Sequence, residues 1–269
     1  MAAVIPLTAY IEGIGVLGPG LADWPSAAAV LADAVPYLAA ATILPAPLSL
    51  PPAERRRTGG VVKLALAIGF EATTRARVEP STLATVFTSS GGDGSNCHEI
   101  CQVLASSERQ LSPTRFHNSV HNVAAGYWSI AASATAAANV LCAYDASFGA
   151  GLLEALTQVV VERAPVLLLA YDTQYPEPLR AKRPIPDAFG VAFVLAPEAR
   201  ARALAKLTAA LTDGGAERMS EPQLEAMRAS IPAARSLPLL RQLAQARGGR
   251  VILDYLPHAR LALEVEPCS

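Results

Sequence analysis

The stretch 139–156, NVLCAYDASFGAGLLEAL, decides how the rest of the chain is read. Asn139 to Ala143 is a short apolar run of strand length, a turn of small residues follows, and Phe148 to Arg163 has the spacing of a helix. Such a unit places its turn residue beside a helix N-terminus, where backbone amides stabilise an anion and where nucleophiles are commonly held. Three side chains compete for that role. Cys142 lies inside the apparent strand, three residues before the turn, and reads as a small buried structural cysteine. Ser147 has Gly149 two residues after it, but Asp145 stands where the strained turn of a nucleophile elbow takes glycine two residues before. Asp254 and His258 follow in hydrolase order, so a serine hydrolase or acyltransferase using Ser147 with His258 stays open as the alternative.

Outward from this unit the pattern alternates. PLTAYIEGIGVLGPG (6–20) predicts a first strand ending in a glycine-marked turn, and ILPAPLSLPPAERRR (43–57) predicts a loop. TGGVVKLALAIGFEATTRAR (58–77) has helical spacing, and STLATVFTSSGG (81–92) reads as a strand running into glycines. A helix near Ser95 to Ser107, a loop over QLSPTRFHNSVHN (110–122) and a helix near Val123 to Ala138 lead into the strand at Asn139. PVLLLAYD and GVAFVLAPE supply further strands. Two polar helical stretches and a terminal pair, GRVILDYL and ARLALEVEP, complete an α/β chain. With no repeat or long linker, residues 1–269 are expected to form one domain.

Bulk properties narrow the function classes. The chain has 269 residues, 52% hydrophobic, enough for a substantial core. Its 22 basic and 23 acidic residues leave no basic surplus for phosphate backbones or anionic membranes. Four cysteines without a regular framework, and a start unlike a signal peptide, point to a cytoplasmic setting. The uncharged run Val123 to Ala143 could span a bilayer by length. Its Ala, Ser, Thr and Asn content is weakly hydrophobic for lipid, and it reads as a buried helix followed by a buried strand.

Four motifs in order resemble the ketosynthase family. SPTRFHNSVHNVAAGYWSIA (112–131) is similar to the segment running from a Ser-Pro loop to an Asn-x-x-Ala-Gly helix start. DASFGAGLLEAL (145–156) resembles the small-residue helix after the ketosynthase cysteine. VLLLAYDTQ and PDAFGVAFVLAPE resemble the two strands that follow. The resemblance covers about residues 80 to 200. It implies a thiolase-like α/β fold with the N-terminal half retained, a core over 1–200 and a shortened C-terminal part over 201–269. Counting from Asn122 forward and from Glu154 back, the ketosynthase cysteine falls on Asp145 both times. A carboxylate cannot replace a thiolate in acyl transfer and Claisen chemistry. Only His258 follows residue 121, in a context unlike either ketosynthase histidine.

A ketosynthase-like chain without nucleophile or histidines resembles a chain-length factor, and AYDASFGAGLLEA resembles the short form from aryl polyene and xanthomonadin-type pigment clusters. That resemblance implies a heterodimer with an active ketosynthase, an acyl carrier protein carrying the growing polyene, and no cofactor. It places a pairing interface over residues 116 to 143, including Phe116, His117, Asn122, Val140 and Cys142. Read as a helix, SNCHEICQVLAS sets Cys97, Ile100, Cys101 and Leu104 on one apolar face. The family places this helix and Phe116 beside the end of the partner's acyl tunnel, so these five side chains are the candidate ruler of chain length. The same stripe could instead pack on the sheet. Cys97, His98 and Cys101 lack a second ligand pair at zinc spacing, so no metal site is expected. His117 and His121 read as backbone-bonding or interface histidines. SSGGDGS has no phosphate-loop lysine and reads as a turn, with Asp93 or Ser95 capping the next helix. Glu198 to Arg228 reads as a solvated helical surface.

Overall fold

In the computed structural model, which describes residues 6–268, the first apolar run forms β1 (Leu7–Leu17), followed by α1 (Trp24–Leu31), the single turn α2 (Pro52–Arg55) and α3 (Gly60–Ala76). Then come β2 (Ala84–Thr88), α4 (Gly94–Ala105), α5 (Pro113–His117), α6 (Val123–Ala131), β3 (Ala138–Leu141) and α7 (Ser147–Glu162). The remainder is β4 (Val166–Asp172), α8 (Leu179–Lys182), β5 (Phe189–Ala196), β6 (Ala205–Thr212), α9 (Pro222–Ser230), α10 (Leu237–Ala244), β7 (Gly249–Leu256) and β8 (Ala259–Pro267). The strands make one eight-stranded sheet in the order β3-β2-β4-β5-β1-β6-β8-β7. The β3-β2-β4 end is parallel and every other pairing is antiparallel.

Helices cover both faces. On one, Leu64, Ile68 and Ala72 of α3 and Trp128 of α6 pack on Phe87 and Leu169. On the other, Phe148, Leu152 and Leu156 of α7 and Leu240 of α10 pack with Leu168 and Phe193. Covered on both sides, β4 and β5 are buried at every residue, which is why both read as unbroken apolar runs. β1 meets α3 backbone to backbone: a Cβ on Gly15 would lie 2.0 Å from the Ile68 carbonyl oxygen, so only glycine lets the two approach.

Four expectations need correction. α6 ends at Ala131 rather than Ala138, and Ser133 turns left-handed with φ 51° two residues later. The 110–122 loop contains α5, started by Pro113 at its first position. Residues 205–212, expected as helical surface, form β6; Ala205, Leu207 and Ala209 are buried on alternate positions against a sheet already in place. The strand before the elbow is not buried. β3 is an edge strand whose Ala138 and Asn139 are exposed and whose Val140 and Leu141 are half-buried. β6, β8 and β7 extend the same sheet, and among the described residues there is no second one. No helix among them is long and apolar enough to cross a membrane.

Candidate functional site

The elbow between β3 and α7 is a 3-10 turn, Tyr144–Ala146, entered through a left-handed Tyr144 with φ 52°, a costly conformation for a bulky residue. Asp145 projects from this turn into a cavity of about 410 Å³ lined also by Tyr144, Arg235, Asp254 and Tyr255. Its carboxylate is clamped by Arg183 at 2.5 Å and Arg235 at 3.2 Å. Arg183 also lies 3.7 Å above the Tyr144 ring, a cation–π contact that braces the strained residue. A carboxylate paired with two guanidinium groups has its oxygens engaged and its charge neutralised. It is a structural clamp from the elbow to residues 183 and 235, and a poor nucleophile.

The other two candidates at the elbow are also accounted for. Ser147 is 2% exposed. Its hydroxyl donates to the Tyr144 carbonyl at 2.7 Å and accepts from the Ala143 amide at 3.1 Å, closing the turn. His258 sits exposed in the β7–β8 hairpin, and Asp254 is bonded to Arg228 and 3.7 Å from Arg260, so the acid serves arginines. Cys142 lies one residue beyond β3 and is exposed, not buried; its thiol donates to the Ser90 carbonyl at 3.3 Å.

Beneath the elbow, Asp172 at the end of β4 is fully enclosed. It accepts from the Ser90 amide at 2.8 Å, the Ser90 hydroxyl at 2.6 Å and the Ala233 amide at 2.9 Å, tying β4 to the loop after β2 and to the 3-10 turn Pro232–Ser236. Burial pushes its pKa up to about 6, against these donors and Arg183. The folded state therefore holds the proton more tightly than the unfolded chain. Its stabilising contribution is full below the ordinary carboxyl value and is lost as pH rises from about 4 to about 6. Over that window the group is expected to withdraw roughly 2–3 kcal/mol. Asp172→Asn should remove this slope and cost about 1–3 kcal/mol by stranding the Ala233 amide. Urea midpoints of both proteins between pH 4 and 7 measure it; identical slopes would contradict it.

The proposed ruler stripe does not pack on the sheet. Cys97 and Cys101 are exposed, Ile100 is half-buried, Leu104 is 47% exposed and Phe116 67%. Asp93 caps α4 by accepting from the Asn96 amide, as the glycine-rich turn suggested. The Asn96 side chain donates to the Arg115 carbonyl at 2.9 Å, and Glu99 pairs with Arg115, two contacts that tie α4 to α5. His117 stands edge-on to Tyr127, and His121 Nε2 lies 3.4 Å from the Ser89 hydroxyl. Asn122 is exposed and its side chain makes no cap for α6. Val120, between α5 and α6, and Ile130 of α6 are also exposed. Among the described residues no group of three His, Cys, Asp or Glu side chains could hold a metal ion.

The profile described as beta-ketoacyl synthase, N-terminal domain, matches residues 25–249. The chain belongs to that family. No curated protein sequence matches it. Among solved structures, this beta-ketoacyl synthase-type chain is similar to one in the ketosynthase ApeO complexed with its chain length factor ApeC from Xenorhabdus doucetiae, at 24% identity and a TM-score of 0.72, covering 96% of this chain and 99% of that one. It is also similar to the ishigamide ketosynthase/chain length factor, at 14% identity and a TM-score of 0.73, covering 97% and 100%. A third likeness is to AntDE:AntF, a type II PKS acyl-carrier protein in complex with its ketosynthase bound to the hexaketide, at 10% identity and a TM-score of 0.74, covering 98% and 100%. At these identities the likenesses establish the α/β ketosynthase fold expected from the motifs. Arg183, Arg235 and Asp172 were not legible as site residues, because each acts on a partner at least 38 positions away; Arg183 and Arg235 stand in no motif, and Asp172 reads only as the end of the VLLLAYDTQ strand.

Proposed function

We propose that this chain is a non-catalytic chain-length factor, one ketosynthase-like domain that pairs with an active ketosynthase to extend polyene chains carried on an acyl carrier protein. The observation that carries the reading is Asp145. The residue that counting along the family motifs puts at the cysteine position is a carboxylate held by Arg183 and Arg235, which supports an elbow without an attacking group. Two of the similar structures are themselves ketosynthases with a chain length factor, and a third includes an acyl-carrier protein. The exposed edge of β3 and the apolar face of α4 and α5 supply the kind of surface that an obligate partner covers. The substrate class rests on the resemblance of AYDASFGAGLLEA to polyene-cluster proteins.

The test is intact-mass measurement after incubation with an acyl thioester. The isolated chain should gain no acyl group and condense nothing. Asp145→Cys should remain inactive in condensation, because a thiol alone lacks the histidines that decarboxylate the extender and hold the developing charge. An acyl mass shift lost in Cys142→Ala or Ser147→Ala would overturn the reading in favour of an independent acyltransferase or hydrolase.

A further inference from the structure

A cavity of about 930 Å³ opens between β1, the C-terminal half of α3 and the segment leading into β6, lined in part by Glu12, Trp24, Phe70, Arg77 and Arg202. Glu12 stands at the register shift of β1 against β5, the kind of irregularity that re-aims a side chain. It is 3% exposed, and its Oε1 has no hydrogen-bond partner. Its Oε2 reaches only the Arg200 guanidinium, at 3.5 Å, beyond ordinary hydrogen-bond length. Glu71 in the same wall is the contrast. Its oxygens accept from the Trp24 amide at 2.7 Å, the Val16 amide at 2.9 Å and Arg75 at 3.0 Å. A carboxylate withdrawn from water without donors is costly, and desolvation pushes the Glu12 pKa up despite Arg200. At the rim, exposed Arg77 and Arg202 make no ion pair among the described residues.

We propose that this cavity binds a small zwitterion with an apolar body, of the amino-acid type. Its ammonium group displaces the loosely held Arg200 from Glu12, its body lies against Trp24 and Phe70, and its acid group pairs with Arg77 and Arg202. The geometry supplies each part: a donor-starved buried carboxylate, an aromatic wall that also favours a cation, and two guanidinium groups suited to a carboxylate. The site uses neither α4, α5 nor β3, and stands whether or not the chain pairs with a ketosynthase.

Calorimetric titration of the full chain with L-phenylalanine, phenethylamine and 3-phenylpropanoate tests it. L-Phenylalanine is expected to bind, and each half-charged analogue to bind at least about tenfold more weakly. Glu12→Gln keeps the side-chain shape and should weaken both amines at least about tenfold. Arg202→Ala, in an exposed connecting segment, should weaken L-phenylalanine and leave phenethylamine unchanged. No heat with millimolar L-phenylalanine would overturn the proposal. So would Glu12→Gln titrating like the parent, or 3-phenylpropanoate or phenethylamine binding as tightly as the zwitterion.

Discussion

Val140→Asp and Val140→Pro are each expected to abolish co-purification of the chain with its ketosynthase partner. β3 is the sheet's parallel edge. Thr85 donates to the Ala137 carbonyl and Ser89 to the Leu141 carbonyl. By alternation, the amides and carbonyls of Ala138 and Val140 therefore point away from β2, towards whatever pairs with the edge. An aspartate here would lie unpaired in a closed interface, at a cost of roughly 3–5 kcal/mol, or at least about a hundredfold in affinity. Val140 also packs against the core on the α3 face, so the charge disturbs the chain itself. Proline separates the two effects. It removes the outward amide while leaving each β2–β3 hydrogen bond in place, and prolines are tolerated on edge strands. Size-exclusion chromatography of the co-expressed pair, with a melting curve of the isolated variant, measures both. A folded Val140→Pro chain that still elutes with its ketosynthase would put the interface elsewhere.

The second large effect concerns product length. Ile100→Trp or Cys101→Trp in α4 is expected to shorten the products of the reconstituted pair, and Leu104→Ala or Phe116→Ala to lengthen them or blur their distribution. A growing polyene is a rigid apolar rod, and it stops where its tip meets side chains that a close-packed wall holds still. Because Cys101, Leu104 and Phe116 are exposed in this chain, changing these three leaves its own core untouched, while Ile100, half-buried, is the one variant that also presses on the chain itself. On the proposed reading, any overpacking, about 1–3 kcal/mol, would fall at the junction with the partner. The product profile with carrier protein measures the effect once each variant is shown to keep its partner. An unchanged profile across all four variants would move the ruler into the ketosynthase.

How far these sites were legible depends on the range of the forces that make them. β4 and β5 were legible because burial writes itself into consecutive residues, as in VLLLAYD and FGVAFVLA, and β7 because its apolar residues alternate between buried and half-buried positions. Asp93 was legible as a cap because its partner, Asn96, is three residues away. β6 was not: AKLTAALT is rich in helix formers, and only the waiting edges of β1 and β8 make it a strand. Cys142 reads as internal because its neighbours are apolar, yet the sheet ends there and, among the described residues, no strand lies beyond β3. Asp145 could be placed by counting, while its clamp could not, since Arg183 and Arg235 lie 38 and 90 positions downstream. The same limit hid Glu12, whose missing partner is a property of three remote elements.

The most direct measurement is native mass spectrometry of the chain co-expressed with a ketosynthase from the same source, before and after exposure to an acyl thioester. A single one-to-one complex is expected, with the acyl group carried by the ketosynthase alone and this chain at its unmodified mass. Acyl mass on this chain, or two subunits that never associate, would contradict its assignment as the silent partner of a condensing pair.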